Sequence, residues 1–465
     1  MGTLTGLMSL TNAALEADQS AINVTANNVA NQNTAGYTRE TVSFSASDAV
    51  SLSGYQGLDE SVSATTVSQR SRVLEQQLQQ QTQSSTSSTA VLTALQNIQS
   101  MFGLTSSSTD ASSTTLGTAM NTFFSSLTAL SSNPTDAATQ TAVLTAASTL
   151  ASAFNSTSQG LSSEVTSLNS QIATAAQQVN GLTATVAQLN QQITTLSPNQ
   201  DAGTLEDARQ QAILQLSSIL GVDQITTQNN GVTLTASDGT VLVSGNQSYS
   251  LSTTTVNGNT AIVAGDPPAP LADDLQGGAI GGMLQARDQA IPPMQSAIDQ
   301  LAYAIGTAVN TQNEAGTASS GTSGTAIFTL PTTATGAAAT ISVAGVAIAT
   351  AAPGEGTSGT TNALSLANLA TANIISGQTA SNNFASFIGS IGTAVSSATT
   401  QNTANTASLA QAQTQRDSLS AVSLDDEATS LTNYQRSYEA AAKVFDIVDQ
   451  MMADALNLGE QTPVS

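Results

Sequence analysis

Apolar positions recur every seven residues at both ends of the chain. Leu424, Leu431, Tyr438, Phe445 and Met452 form one series, with Ala428, Tyr434, Ala441, Val448 and Ala455 between or beside them. Met8, Leu15, Ile22 and Val29 form the other, thickened by Leu7, Ala14 and Ala21 one position earlier. A stripe with that period turns one face of a helix toward a partner helix. The pattern predicts a first helix over about 4–29, a last one from 424 onward, and a coiled-coil seam between them, although nearly the whole chain lies in between. Thr11 and Asp18 interrupt the flank of the first stripe, so the C-terminal one is the stronger half.

Between the ends the period changes twice. Alternating residues at 41–44 and 60–63, flanking Gly54 and Gly57, predict a hairpin within about 41–64. Helical spacing returns over 66–102 through Val67, Val73, Leu74, Leu78, Val91, Leu92, Leu95 and Ile98, with a Gln-rich solvated face from Gln76 to Gln83. A helix over 118–131 stops at Asn133-Pro134-Thr135-Asp136, which also opens the next one. Residues 137–196 keep three- and four-residue spacing throughout, as one very long helix or two stacked ones, and 205–220 supplies an antiparallel mate. After Gly221 the period falls to two. Strands are predicted at 222–227, 232–236, 241–244, 249–256 and 261–264, with turns at Asn230-Gly231, Asp238-Gly239 and Asn257-Gly258. Asp266-Pro267-Pro268-Ala269-Pro270 then reads as a stiff linker. Helices follow over 283–313, 364–376 and 383–420, separated by a Gly/Thr/Ser/Ala-rich stretch, 316–362, whose strand-like island is 340–349.

The fold class is therefore mainly α with a small β domain: terminal helices forming a coiled coil, a long helical-bundle domain and an inserted antiparallel β domain. The division places 1–35 and 421–465 in the coiled coil, 36–220, 277–316 and 363–420 in the helical domain, and 221–276 in the β domain. Residues 317–362 form a reduced insert with a possible short β element.

Composition narrows the chemistry. Only 8% of residues are charged, against roughly 25% in ordinary proteins. Eight basic residues face 31 acidic ones, for a net charge of −23, so nucleic acid and anionic membrane surfaces are poor partners. Cys and His are both absent, which removes disulfides, thiolate nucleophiles, the usual zinc sites and histidine bases. No run of eighteen apolar residues exists, so no membrane insertion is expected, and no basic segment followed by an apolar core marks a cleaved signal peptide. Gly277-Gly278-Ala279-Ile280-Gly281-Gly282 lacks both a preceding βαβ pattern and a following Lys-Ser/Thr pair, so it is discounted as a phosphate loop. Asp425, Asp426 and Glu427 read as first-turn acids complementing a helix dipole behind a Ser423 cap, and Asp273 and Asp274 as solvated loop acids. No catalytic, metal or cofactor-binding residue is assigned, and the chain is not expected to be an enzyme.

The ordered strings are more specific. Ala26-Asn27-Asn28-Val29-Ala30-Asn31, followed by Thr34-Ala35-Gly36-Tyr37-Thr38-Arg39, resembles the N-terminal signature of flagellar rod, hook and hook-associated axial proteins. Val422-Ser423-Leu424-Asp425-Asp426-Glu427 and the run Tyr434 to Val444 resemble the ending of the hook-associated branch, with Ala441 where the common QRxYxANAK-like core has Asn. Leu205-Glu206-Asp207-Ala208-Arg209, residues 277–288 (GGAIGGMLQARD) and Asn310 to Gly316 resemble that branch too. The resemblance implies a structural, extracellular component of the bacterial flagellum, joining hook to filament and exported through the type III apparatus. It implies as partners copies of itself in a ring or tube, the flagellar hook protein, the next hook-associated junction protein, and an export chaperone holding the C-terminal stripe. A hook or rod subunit and a secreted surface adhesin are the alternatives.

The expected subunit-interface residues are Met8, Leu15, Ile22, Val29, Asn27, Asn28, Gly36, Tyr37, Arg39, Leu424, Leu431, Tyr434, Arg436, Tyr438, Phe445, Val448 and Met452. Two helices alone bury too little apolar surface to offset the entropy of ordering them. The ends are accordingly expected to fluctuate in the monomer and to order when neighbouring subunits supply further helices.

Overall fold

The computed structural model describes residues 2–46, 62–104, 111, 114–196, 202–227, 230–265, 268–271 and 275–459. Helices α1 (Gly2–Asn31) and α11 (Leu424–Gly459) pack along each other. Asn28, near the end of α1, meets Glu427 in the first turn of α11, so the two run antiparallel. Strands β1 (Glu40–Ala46) and β2 (Val62–Ser68) pair from Glu40↔Ser68 to Ala46↔Val62 and lie against α1, with the Phe44 ring 6.1 Å from that of Tyr434. Val67 thus belongs to a strand and not to the helix its spacing suggested. Its neighbours alternate in exposure along β2, and the next helix waits for Ser71, whose hydroxyl accepts from the Leu74 amide.

Helix α2 (Arg72–Met101) pairs with α10 (Ala380–Ser420), and these two carry the chain from the terminal pair into the body. There α3 (Thr115–Ser132) packs on α4 (Ala137–Leu196), a single helix of 60 residues, about 90 Å long at 1.5 Å per residue. The Asp136 carboxylate accepts from the Ala138 and Thr139 amides at its start. Buried Val143, Leu150, Phe154, Leu161, Leu168, Ile172, Val179, Val186 and Ile193 hold one face along its length. Helix α5 (Thr204–Ile219) folds back on it.

The predicted β segments form two antiparallel sheets: β3 (Val222–Thr226), β4 (Val232–Ala236), β5 (Val241–Ser244) and β6 (Gln247–Ser248) in sequential order, then β7 (Leu251–Val256), β8 (Asn259–Ala264) and β9 (Ala269–Pro270). Ala269 and Pro270, expected in a linker, pair with β8; Asp266, Pro267, Asp273 and Asp274 lie outside the described residues. Asparagines of α4 fasten the sheets. Asn180 exchanges both amide hydrogen bonds with the Leu251 backbone, and Asn190 does so with Val232 while also donating to Gly245 O. Asn169 accepts from the Thr260 amide. Each side-chain amide stands in for a neighbouring strand.

The helical stretch predicted at 283–313 is α6 (Gly278–Gln285), a π-helical turn (Ala286–Ala290) and α7 (Ile291–Glu314). The wider turn falls directly before Pro292 and Pro293, which lack amides for an α ladder. It carries Arg287, whose guanidinium donates to Thr260 O and Asn169 Oδ1. The insert holds β10 (Thr317–Ala318), β11 (Phe328–Thr329), α8 (Ala337–Thr340), β12 (Ser342–Val343) and β13 (Ala349–Ala351), paired β10 with β13 and β11 with β12. Helix α9 (Thr361–Asn368) ends eight residues before the predicted boundary at 376. Phe328 stacks edge-on against Phe123 of α3, at 5.7 Å. One continuous apolar core runs from Ala94 to Val395 and takes in the sheets and the insert, but no residue of α1 or α11.

Candidate assembly interface and its anchoring junction

The loop after α1 is where the terminal pair meets the body. Asn27-Asn28 ends the regular stripe, and Gly36, at φ +82°, lets the chain reverse so that Tyr37, Thr38 and Arg39 return beneath α1. Asn28 is 1% exposed. Its Oδ1 accepts from the Glu40 amide and the Tyr37 hydroxyl, and its Nδ2 donates to Glu40 O and Glu427 Oε2. Arg39 Nε donates to Glu427 Oε1 at 2.7 Å. Glu427, expected as a first-turn acid complementing the helix dipole, is 2% exposed and also holds both ends of the chain together. Asp425 and Asp426 remain exposed, and Ser423 Oγ accepts from the Asp426 amide.

Two further arginines extend this junction. Arg416 of α10 donates to Glu75 of α2 at 3.2 Å and to the Gly36 carbonyl at 3.0 Å. Burial works against its charge, but Glu75 and Asp417 outweigh it and raise its pKa. Arg70 pairs with Asp207 and Glu206 of α5, and Asp207 also accepts from the Thr38 amide and hydroxyl. Burial first, then Glu40, Asp207 and Glu427, push the Tyr37 phenol well above its ordinary value. Arg209, beneath the β3–β4 turn, donates to Asn190 Oδ1 and Asn230 O, and burial pulls it down to about 10. Glu75 and Arg416 carried no signal that sequence reasoning could isolate, and the family-like string 205–209 that holds Glu206 and Asp207 did not show their partners, which come from distant elements.

Along the helix pair the burial pattern differs in part from the predicted stripes. On α1 the buried positions are Thr11, Ala17, Asp18, Ala21, Val24, Thr25 and Asn28, while Met8, Leu15, Ile22 and Val29 are half-buried. The seam is thus turned about one row around the helix, and Thr11 and Asp18 sit within it. On α11 Val448 is buried, Leu431, Tyr434, Phe445 and Met452 are half-buried, and Leu424 and Tyr438 are exposed at 49% and 38%. Val444, Ile447, Met451 and Leu456 are exposed as well. Asn27 and Arg436 face solvent. Among the described residues no cluster of His, Cys, Asp or Glu is placed to hold a metal, and no helix is long and apolar enough to cross a membrane.

Paired terminal helices are tied by the loop after α1 to a separately cored helical body, and models of axial flagellar proteins match both parts. The description "Flagella basal body rod protein" matches residues 12–38, and "Flagellar basal body rod FlgEFG protein C-terminal" matches 413–458. "Flagellar hook-associated protein FlgK helical domain" matches 95–328, half of the chain. The chain belongs to the flagellar hook-associated protein FlgK family. It is 25% identical over 334 residues to flagellar hook-associated protein 1 of Escherichia coli strain K12, covering 68% of this chain and 59% of that protein. It thus spans under two thirds of that relative's length, and likewise 58% of its Salmonella typhimurium counterpart. The Bacillus subtilis protein of the same name is 27% identical, with 96% of each chain covered. The fold is similar to the solved flagellar hook junction protein FlgK from Burkholderia pseudomallei, with a TM-score of 0.67, 20% identity, and coverage of 75% of this chain and all of that one.

Proposed function

We propose that this protein is an extracellular structural subunit of the flagellum that joins hook to filament and supports filament assembly. In this reading α1 and α11 pack with those of other copies into an inner ring or tube, with hook protein on one side and the next junction protein on the other. The outer body, including the β region 221–276 and the insert 317–362, rides on that pair. Export proceeds by the type III route, with a chaperone covering the apolar face of α11 beforehand.

One observation carries the reading: Tyr438, Val444, Ile447, Met451 and Leu456 stay exposed on both flanks of a helix that already packs on α1. A helix apolar on more than one side calls for more than one partner. The relatives' printed names supply which structure those partners build. Expression in a strain lacking its own junction protein is expected to restore filaments. Bare hooks, with rescue of a hook mutant instead, would return the chain to the hook or rod class.

A further inference from the structure

Residues 36–39 face two ways. Their backbone is bound by the body: Arg416 of α10 donates to the Gly36 and Tyr37 carbonyls, Asp207 of α5 accepts from the Thr38 amide, and the Arg39 amide donates to Ser420 O at the end of α10. The Arg39 carbonyl accepts from the Gln69 amide, just ahead of α2. One residue later the direction changes, and the Glu40 amide and carbonyl both go to Asn28 of α1. The side chains alternate in direction, as on a strand. Thr38 donates its hydroxyl to Asp207, whereas Tyr37 and Arg39 on either side of it reach Asn28 of α1 and Glu427 of α11.

The body side of this arrangement is built without the terminal helices. Asp207 is paired with Arg70, and Arg416 with Glu75, and all four lie outside α1 and α11. Ala212, Ile213 and Leu216 seat α5 in the apolar core, to which α1 and α11 contribute nothing. The dependence in the other direction is close. Asn28 and Glu427 are both buried, and each is bonded to the other and to one side chain of the 36–39 segment. Starting a helix is its costly step, since several residues must be fixed before the first hydrogen bond forms. A partner side chain already held in place lowers that cost at the last turn of α1 and the first turn of α11 together.

We infer that residues 36–39 are a strap belonging to the body, which stays docked on Asp207 and Arg416 when α1 and α11 open. Its two outward groups, the Tyr37 hydroxyl and the Arg39 guanidinium, are the template on which Asn28 and Glu427 set the antiparallel register of the terminal helices. Folding of the pair then starts at Asn28 and Glu427 and runs outward toward Gly2 and Gly459. Asp207 and Arg416 are positioning residues in this scheme, acting on the terminal helices only through the strap. The device is complete within one chain and calls on no neighbouring copy.

The test is residue-resolved hydrogen exchange of the dilute full-length protein, with circular dichroism melting of each variant to follow the body. In the wild type the Thr38 and Arg39 amides are expected to exchange at least about tenfold more slowly than the middle of α1, Ala14 to Ala21. Asn28→Ala, on the terminal side, is expected to speed exchange in α1 and in the first turn of α11 at least about tenfold, while Thr38 and Arg39 stay within about twofold. Asp207→Ala, on the body side, is expected to free Thr38 and both helix ends together. Thr38→Val removes only the hydroxyl and is expected to act in the same direction with body melting unchanged, covering the case in which Asp207→Ala unfolds α5. Equal rates at Thr38 and in α1 of the wild type would overturn the strap, as would Asn28→Ala freeing Thr38 and Arg39 as fully as Asp207→Ala does. Loss of protection at Thr38 with both helix ends unchanged would overturn the template. All of this is read in the free chain, so failure to restore filaments would remove the proposed function and leave the strap standing.

Discussion

At the scale of single residues, side chains that imitate backbone do much of the joining. Asn28, Asn180 and Asn190 each satisfy an amide and a carbonyl of a strand residue, and Asn310 does the same for Phe328. Asn190→Ala would leave the Val232 amide and carbonyl, Gly245 O and Arg209 without that partner. Urea unfolding is expected to show a loss of about 2–4 kcal/mol, against little change for Gln171→Ala on the exposed side of α4. Arg39→Ala leaves Glu427 buried and half-satisfied, for which about 3–5 kcal/mol is expected; faster hydrogen exchange at the start of α11 would localise the loss. Tyr37 gives a pH signature. Its folded pKa lies above the unfolded value of 10.0, so folding retains a proton that the unfolded chain releases. That contribution is complete below about pH 10 and is lost as pH rises further. Tyr37→Phe should flatten the alkaline limb of a Tm-against-pH profile, and an unchanged limb would assign it to other groups.

At the scale of elements, close approach and open space separate glycines that look alike in the sequence. A Cβ on Gly282 of α6 would stand 2.2 Å from Ser87 O of α2, so Gly282→Ala must push the helices apart and is expected to cost about 1–3 kcal/mol. Gly181, inside α4, has nothing within 4 Å of its Cβ position, and Gly181→Ala should stabilise by about 0.5–1 kcal/mol. Thermal melts of the pair check both signs. The π-helical turn before Pro292 likewise has a local cause and a distant consequence, since it aims Arg287 at β8. Periodicity showed α4, α5 and the strands β3–β5 nearly to the residue. It misjudged 66–68, because Val67 fits a helix stripe and a strand equally well, and it did not address how the strands of the β region divide into two sheets.

At the scale of the whole molecule, two packed regions differ in completeness. The body has a closed core reaching from Ala94 to Val395, while the terminal pair shares none of it and leaves apolar residues of α11 exposed. A chain lacking α1 and α11 is therefore expected to keep its main cooperative melting transition and to lose incorporation into hook–filament junctions. Limited proteolysis of the dilute full-length protein should cleave the termini first; protease-resistant ends would show the pair to be complete without neighbours.

The sequence by itself determined the helical stripes at both ends, the long helix, the change to strand period after Gly221 and the family strings around Tyr37 and Arg436. These rest on local spacing, which the chain carries wherever it folds. Only the tertiary structure decided that Glu427 answers Arg39 and Asn28, that the buried row of α1 runs through Asp18, and that Asn180 and Asn190 clasp strands. The physical reason is sequence distance: Asn28 and Glu427 are 399 residues apart, and a carboxylate beginning a helix has the same local pattern whether it meets water or an arginine brought from the other end.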